Sequence, residues 1–167
     1  MPIDGFRLLD PATRRVMRAW RDREPRPPDI PWAVMPKPLA ESRVALVSTA
    51  AIARLDDTPF DQEGERQDPW WGDPTHRVIP REANADDVRV YHLHIDPRPA
   101  SEDLDCVLPL RRLDELVEVD MVGSSAPNHY SFMGYILQPR ELVAETAPKI
   151  AQALLRNEVD FALLVPV

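Results

Sequence analysis

Proline is the residue that most constrains what this chain can fold into. It occurs 19 times in 167 residues, against 5 glycines. Because proline fixes φ and has no N–H to donate, it breaks helices and is excluded from central strands. An uninterrupted helical bundle is therefore ruled out, and we expect long ordered loops and extended segments. Hydrophobic residues make up 44% of the sequence, which is enough for a sizeable core.

The first 42 residues are predicted to form a helix followed by a proline-rich strap. Asp10 and Pro11 are typical of a helix start, and apolar residues among arginines predict an amphipathic helix over 11–23. The next stretch holds six prolines interleaved with apolar residues, so we expect it to lie across a hydrophobic surface. Residues 1–42 are thus assigned to the helix and strap, and residues 43–167 to an α/β domain, within a single domain overall.

Strand-like and helix-like patterns alternate through the second part of the chain. Apolar runs predict strands at 43–49, 88–95 and 160–167, the last of them buried. Helices are predicted at 109–119 and 140–157, with Pro148 producing a kink or a restart capped by Thr146. Residues 122–136 predict a turn and a short strand, and residues 56–87 a long loop. The fold class is therefore α/β: a layered sandwich with a small, at least partly parallel sheet flanked by helices and long Pro-rich loops.

Charge and cysteine content narrow the classes of partner. The formal net charge is −8, which gives no broad electrostatic case for nucleic acid or for an anionic membrane. The first residues lack the pattern of a signal peptide, and no apolar run approaches the roughly 18 residues of a membrane span. We therefore expect a cytoplasmic protein. The single cysteine, Cys106, permits no internal disulfide, and its pattern is typical of a small buried hydrophobe rather than a nucleophile.

Two histidines and a carboxylate alternate along the predicted strand at 88–95. Strand periodicity would place His92, His94 and Asp96 on one face. Imidazole and carboxylate groups at that spacing can bind a divalent metal, and His92, His94 and Asp96 are the candidate ligands. Paired strand histidines serve equally as hydrogen-bonding or substrate-orienting groups.

A second polar cluster follows the turn at Pro127. His129 offers a base or an acid there, and Tyr130 and Ser131 offer hydroxyl groups. The alternative is that Asn128 and Ser131 cap local backbone and that His129 is a satisfied, partly buried histidine. Asp105 is predicted to lie near a helix start, where a carboxylate meets the helix dipole favourably.

Several motifs together resemble one enzyme family. They are His92-Leu-His-Ile-Asp96, Asp103 and Asp105, Pro109-Leu-Arg-Arg-Leu-Asp-Glu-Leu116, and Gly123-Ser-Ser-Ala-Pro-Asn-His-Tyr-Ser-Phe-Met-Gly-Tyr-Ile136. Ser48-Thr49-Ala50, Gly72-Asp73, Arg77-Val-Ile-Pro80 and Val159-Asp-Phe-Ala-Leu-Leu-Val-Pro-Val167 look like further landmarks. This pattern, over roughly residues 43–167, resembles the selenoprotein B family of glycine, sarcosine, betaine and D-proline reductases. Ala51 departs from it, because a glycine is common at that place.

The resemblance implies the reductive cleavage of a small amino acid or amine. In the family, a selenolate or thiolate attacks the α-carbon and displaces the amino group, and a second thiol resolves the adduct. His92, His94 and His129 are then the candidates for proton transfer or substrate orientation, and we assign substrate contacts to Asp96, Asp105, Tyr130 and Ser131. A protein partner subunit or a homo-oligomer is expected, since a partner activates the substrate nitrogen in several family members.

The redox motif of the family follows the strand that resembles residues 160–167, and the present sequence stops just before it. Selenocysteine is therefore expected beyond residue 167. The leading explanation is that codon 168 is a UGA to be read as selenocysteine. A separate polypeptide that supplies the redox half, or a shortened relative with a different role, are the two others.

Two hypotheses from other functional classes are alternatives to the reductase. One is a metal-dependent enzyme that uses His92, His94 and Asp96, and needs no thiol. The other is a non-catalytic assembly subunit, whose final strand would expose a sheet edge to a partner.

Overall fold

The computed structural model describes residues 5–22, 33–68 and 70–167, and the chain forms two compact units, Met1–Val34 and Met35–Val167. In the first unit, helix α1 spans Pro11–Arg21 and begins where it was predicted to begin. Asp10 Oδ1 caps it by accepting hydrogen bonds from the N–H groups of Ala12 (2.9 Å) and Thr13 (3.1 Å). Most of the predicted strap falls on residues 23–32, which lie outside the described residues.

The second unit is built on a mixed five-stranded sheet and a two-stranded sheet. The strands are β1 (Arg43–Ser48), β2 (Ile52–Arg54), β3 (His76–Pro80), β4 (Val88–Val90), β5 (Ser124–Ser125), β6 (Asn128–Phe132) and β7 (Phe161–Val165). In the larger sheet β1 pairs in parallel with β5, β6 and β7, while β3 pairs antiparallel with β6. The smaller sheet pairs β2 with β4 antiparallel.

The described part of the second unit also contains four α-helices. They are α2 (Gln62–Gln67), α3 (Arg98–Glu102), α4 (Leu110–Glu118) and α5 (Ala147–Arg156). Leu113 of α4 shares a buried cluster with Leu46 of β1, while Ile150 of α5 packs with Val47 and Tyr130. Because Leu46 and Val47 are consecutive in a strand, their side chains point to opposite faces. The predicted α/β fold, with a partly parallel sheet flanked by helices, is confirmed.

Three element predictions are wrong. The loop expected at 56–87 contains both α2 and β3. The strand expected at 88–95 ends at Val90, so alternation does not govern the two histidines. Helix α5 restarts at Ala147 after a π-helical turn, Leu142–Thr146, but the predicted side-chain cap is absent, because Thr146 Oγ1 donates a 2.6 Å hydrogen bond to the Pro74 carbonyl instead.

Strand β7 is present as predicted, but it is not buried. Its side chains are exposed on both faces, with 44% of Leu163 and 69% of Leu164 accessible. It pairs with β1 and with no other strand of the described residues. An apolar run identifies a strand, but it does not distinguish an edge strand from a central one.

No helix within residues 5–22, 33–68 and 70–167 has the length and apolar character needed to cross a membrane.

Candidate functional site

The carboxyl ends of two neighbouring parallel strands meet at Thr49. The Thr49 N–H donates to the Val165 carbonyl of β7 at 3.1 Å, and the Val167 N–H donates to Thr49 Oγ1 at 2.8 Å. Ligands of parallel α/β sheets bind outside this edge, because loops rather than strands surround it. Thr49 therefore marks the position in the sheet where a ligand is expected.

His92 is buried, and its Nε2, like Thr49, lies close to Gly134. Its Nδ1 accepts a 3.2 Å hydrogen bond from the backbone N–H of His94. Burial lowers the pKa of His92, and the neighbouring His94 lowers it further. The neutral ring then carries its proton on Nε2, since Nδ1 is occupied as an acceptor. His92 thus offers an N–H donor close to the carboxyl edge of β1.

Gly134 lies close to both His92 and Thr49. A Cβ at residue 134 would lie 2.9 Å from the Thr49 carbonyl oxygen, 3.0 Å from Thr49 Oγ1 and 3.1 Å from His92 Nε2. The motif that contains Gly134 therefore leaves space at this position, because glycine has no side chain, and it adds no functional group there.

His94 is half exposed and packed on two sides. Its ring lies 4.1 Å from the ring of Tyr135, and its Nε2 lies 3.0 Å from Glu65 Oε1. The Tyr135 carbonyl lies so close to Gly72 that a Cβ at residue 72 would collide with it. His94 is thus an accessible imidazole that packs against Tyr135 and Glu65.

Glu65 is the site residue that sequence reasoning missed. It is the one buried residue of α2, with 3% of its surface accessible, although that helix has the wholly non-apolar sequence Gln-Glu-Gly-Glu-Arg-Gln. The segment gives no apolar periodicity, so nothing in the sequence predicts which side of it faces inward. Burial raises the pKa of Glu65, and the nearby His94 and Arg66 act in the opposite direction.

Asp96 does not join the two histidines. Its carboxylate is exposed and faces Arg98, with Oδ2 2.6 Å from Nη2 and Oδ1 3.0 Å from Nε. Across the described ranges, no group of three histidine, cysteine or acidic side chains is arranged to hold a metal ion. The face shared by His92, His94 and Asp96 was a wrong prediction, because a turn replaces the strand after Val90. Metal binding by either histidine with other ligands stays a prediction.

His129 is fully buried within the sheet, away from solvent. Its Nδ1 accepts the Leu46 N–H at 2.9 Å, and its Nε2 lies 3.3 Å from Ser125 Oγ. Burial lowers the pKa of His129 to about 4, so the ring is neutral at pH 7. The imidazole fills the break between β5 and β6, where the Leu46 N–H of β1 would otherwise lack an acceptor. This geometry favours the satisfied, structural alternative for His129.

The predicted substrate contacts Tyr130, Ser131 and Asp105 also bond within the fold. Ser131 Oγ accepts the Ile52 N–H at 2.8 Å, and the Tyr130 hydroxyl accepts from Asn157 at 3.3 Å. Asp105 accepts from the N–H and Nε of Arg111, at 3.0 and 3.1 Å, near the start of α4. The structure brings none of these three side chains into contact with His92 or His94.

Cys106 is exposed rather than buried, which corrects its predicted environment. Partial desolvation and the charge of Asp103 raise the pKa of its thiol. It is therefore poorly suited to act as a nucleophile at neutral pH.

The structure is a mixed α/β fold, and the histidines near the carboxyl edge of β1 are its candidate site. Over 138 residues, 83% of the chain, its sequence is 30% identical to D-proline reductase subunit gamma of Acetoanaerobium sticklandii. The match covers 53% of that protein, so the chain spans about half the length of this curated relative. No family model matches the chain, and no solved structure matches it. These findings support a distant relationship to the reductases that the sequence motifs resemble.

Proposed function

We propose that the chain is a subunit, or a portion of a subunit, of an oxidoreductase that cleaves the Cα–N bond of a small amino acid or amine. The observation that carries the proposal is the similarity to a D-proline reductase subunit over 83% of the chain. The pairing of His92 and His94 beside Thr49 at the carboxyl edge of β1 supports it, because that edge is where a substrate is expected.

His94 is the residue best suited to contact the substrate nitrogen. Displacement of the amino group releases a neutral amine, which takes the bonding electron pair with it, and an accessible imidazole can hydrogen-bond and orient the group that bears this nitrogen. His92 is buried and neutral, so its role is to orient a polar group of the substrate through its Nε2–H. Thr49 adds a hydroxyl and a carbonyl oxygen at the same edge.

The nucleophile is supplied from outside residues 1–167, since Cys106 is the single cysteine and its thiol is not activated. A selenolate or thiolate would attack the carbon that bears the nitrogen and form a covalent adduct that a second thiol resolves. An in-frame UGA at codon 168, followed by a reading frame with a cysteine codon, would identify selenocysteine as its source. A non-coding continuation would favour a separate polypeptide.

A protein partner is part of the proposal. The relative is named as the gamma subunit of an enzyme, and β7 leaves apolar side chains and an unpaired edge exposed. Such an edge is normally covered by another strand, a helix or a second chain.

The proposal is tested on the protein purified from its native cells, with its bound partners, under anaerobic conditions and with a dithiol as reductant. Glycine, sarcosine, betaine and D-proline are offered separately. Reduction of the Cα–N bond gives acetate from the first three, together with ammonia from glycine, methylamine from sarcosine and trimethylamine from betaine, and it gives 5-aminopentanoate from D-proline. We expect one of these products, and a fall of about 100-fold or more in kcat when His94→Gln replaces the wild type.

His76→Gln is the matched control, because His76 is also a partly buried histidine but lies on β3. It should keep the wild-type kcat within about twofold. If the native complex reduces none of the four compounds, the proposed function is wrong.

A further inference from the structure

Glu65 has an unusual environment for a carboxylate. Neither of its oxygens has a hydrogen bond of acceptable geometry, and both are inaccessible to solvent. Its ion-pair partner among the described residues is His94, whose Nε2 lies 3.0 Å from Oε1. A buried carboxylate whose one close polar contact is this ion pair is costly to desolvate, so Glu65 is not explained by a contribution to stability.

The helix that carries Glu65 is anchored without it. Asp61 Oδ1 accepts the Gly64 N–H at 2.8 Å and so caps α2, and Gln62 Nε2 donates to the Tyr91 carbonyl at 2.6 Å. Asp73 Oδ2 accepts the Asp61 N–H at 3.0 Å. Three contacts of good geometry therefore fix α2, and none of them involves Glu65.

Glu65 lies against one side of the His94 ring. The ring of Tyr135 lies against it from the loop after β6, and the ring of His92 stands edge-on at 5.8 Å from its own loop. Arg66, next to Glu65 on α2, is the other charged group near the carboxylate. The remaining side of His94 faces solvent, where 49% of its side chain is accessible.

We propose that Glu65 is a positioning residue, which acts through His94 and holds its imidazole toward a substrate at the carboxyl edge of β1. The inference rests on the proposed function, since it assigns His94 to the substrate nitrogen. Glu65 itself is covered by His94 and touches no substrate. The pair forms a buried carboxylate behind an accessible imidazole, an arrangement in which the carboxylate orients the ring.

Glu65→Gln tests this role, because it keeps the shape of the side chain and removes its charge. Glu63→Gln is the matched control, since Glu63 lies on the same helix with 70% of its side chain exposed. In the native complex we expect Glu65→Gln to lower kcat about tenfold or more with little change in KM, and Glu63→Gln to have no effect. The thermal midpoint of Glu65→Gln should be equal to or above that of the wild type, because an unsatisfied buried charge is removed.

A third measurement does not depend on catalysis. Diethylpyrocarbonate modifies accessible imidazoles, and peptide mass spectrometry gives the rate at each histidine. Removal of the carboxylate that faces Nε2 should make His94 react faster in Glu65→Gln than in the wild type or Glu63→Gln.

The proposal requires all three results, and any one of the opposite results overturns it. A lower thermal midpoint would assign Glu65 to the fold, an unchanged kcat would remove it from the site, and an unchanged His94 rate would uncouple the pair. If the wild-type complex reduces none of the four substrates, the proposed function fails, while the modification rate still measures whether Glu65 controls His94.

Discussion

Gly134 lies at the closest point between the loop after β6 and the two residues Thr49 and His92. We expect Gly134→Ala to lower the free energy of unfolding by about 1–3 kcal/mol, because the new methyl group meets the Thr49 carbonyl, which cannot move as a side chain would. Denaturant unfolding measures this change. Tyr135→Phe is the control, since it adds no atoms to the adjacent position. Wild-type stability in Gly134→Ala would show that the edge is more open than described.

Three residues other than glycine adopt the left-handed backbone conformation, which only glycine adopts without strain. No described glycine has a positive φ, whereas Ala51, Asp120 and Glu158 have φ values of 53°, 57° and 53°. Ala51 stands where a glycine is common in the family that the sequence resembles, and its left-handed backbone gives the physical reason for that glycine. The site edge thus begins with a residue in an unfavourable conformation, directly after Thr49 and Ala50.

The same strained backbone conformation occurs just after helices α4 and α5. After α4 the Asp120 N–H bonds the Val117 carbonyl at 3.1 Å, and the Met121 N–H bonds the Leu116 carbonyl at 2.9 Å. This is the Schellman pattern, in which the residue with positive φ is usually glycine. The carboxylate of Asp120 also lies at the negative end of the helix dipole.

Asp120→Gly should therefore raise the free energy of unfolding by about 0.5–1 kcal/mol, measured by denaturant unfolding. Asp120→Ala is the control, because it removes the charge but keeps the Cβ, and we expect no gain from it. Glu158→Gly should gain less than Asp120→Gly, since it also loses the 3.2 Å ion pair with Arg43. A larger gain from alanine than from glycine at residue 120 would contradict the strain argument.

Local sequence patterns predicted some elements and missed others for identifiable reasons. Strand β1 and helix α4 carry runs of apolar residues at the period of their own structure, and both were predicted within one or two residues. Strand β3 buries Ile79 alone and α2 buries Glu65 alone, so neither has an apolar face to detect. Both elements are held by contacts with distant residues, such as the β6 strand that pairs with β3.

At the scale of the whole molecule, buried histidines predict loss of stability in acid. The pKa of His129 falls from 6.5 to about 4 on folding, and the pKa values of His92 and His76 are also lowered. Below pH 6.5 the unfolded chain binds more protons than the folded chain, so the free energy of unfolding decreases as the pH falls toward 4. His129 alone contributes about 3 kcal/mol to this decrease. The raised pKa of Glu65 works in the opposite direction.

His129→Gln tests the source of this dependence. Its amide oxygen can accept the Leu46 N–H in place of Nδ1, so the variant is expected to fold with a loss of about 1–3 kcal/mol at pH 7.5. The difference in unfolding free energy between pH 7.5 and pH 4.5 should then be smaller than in the wild type. An identical difference would assign the acid sensitivity to other groups.

The sequence by itself determined the α/β class, the positions of β1, α4 and β7, and the resemblance to amino acid reductases. Each of these depends on patterns within a few neighbouring residues or on motifs that can be compared directly. The tertiary structure alone decided that β7 is an exposed edge, that His129 lies inside the sheet, and that Glu65 stands 3.0 Å behind His94. Glu65, His94 and Gly134 come from three separate segments, and only packing brings such segments together, because side-chain proximity across loops leaves no periodic signal in the chain.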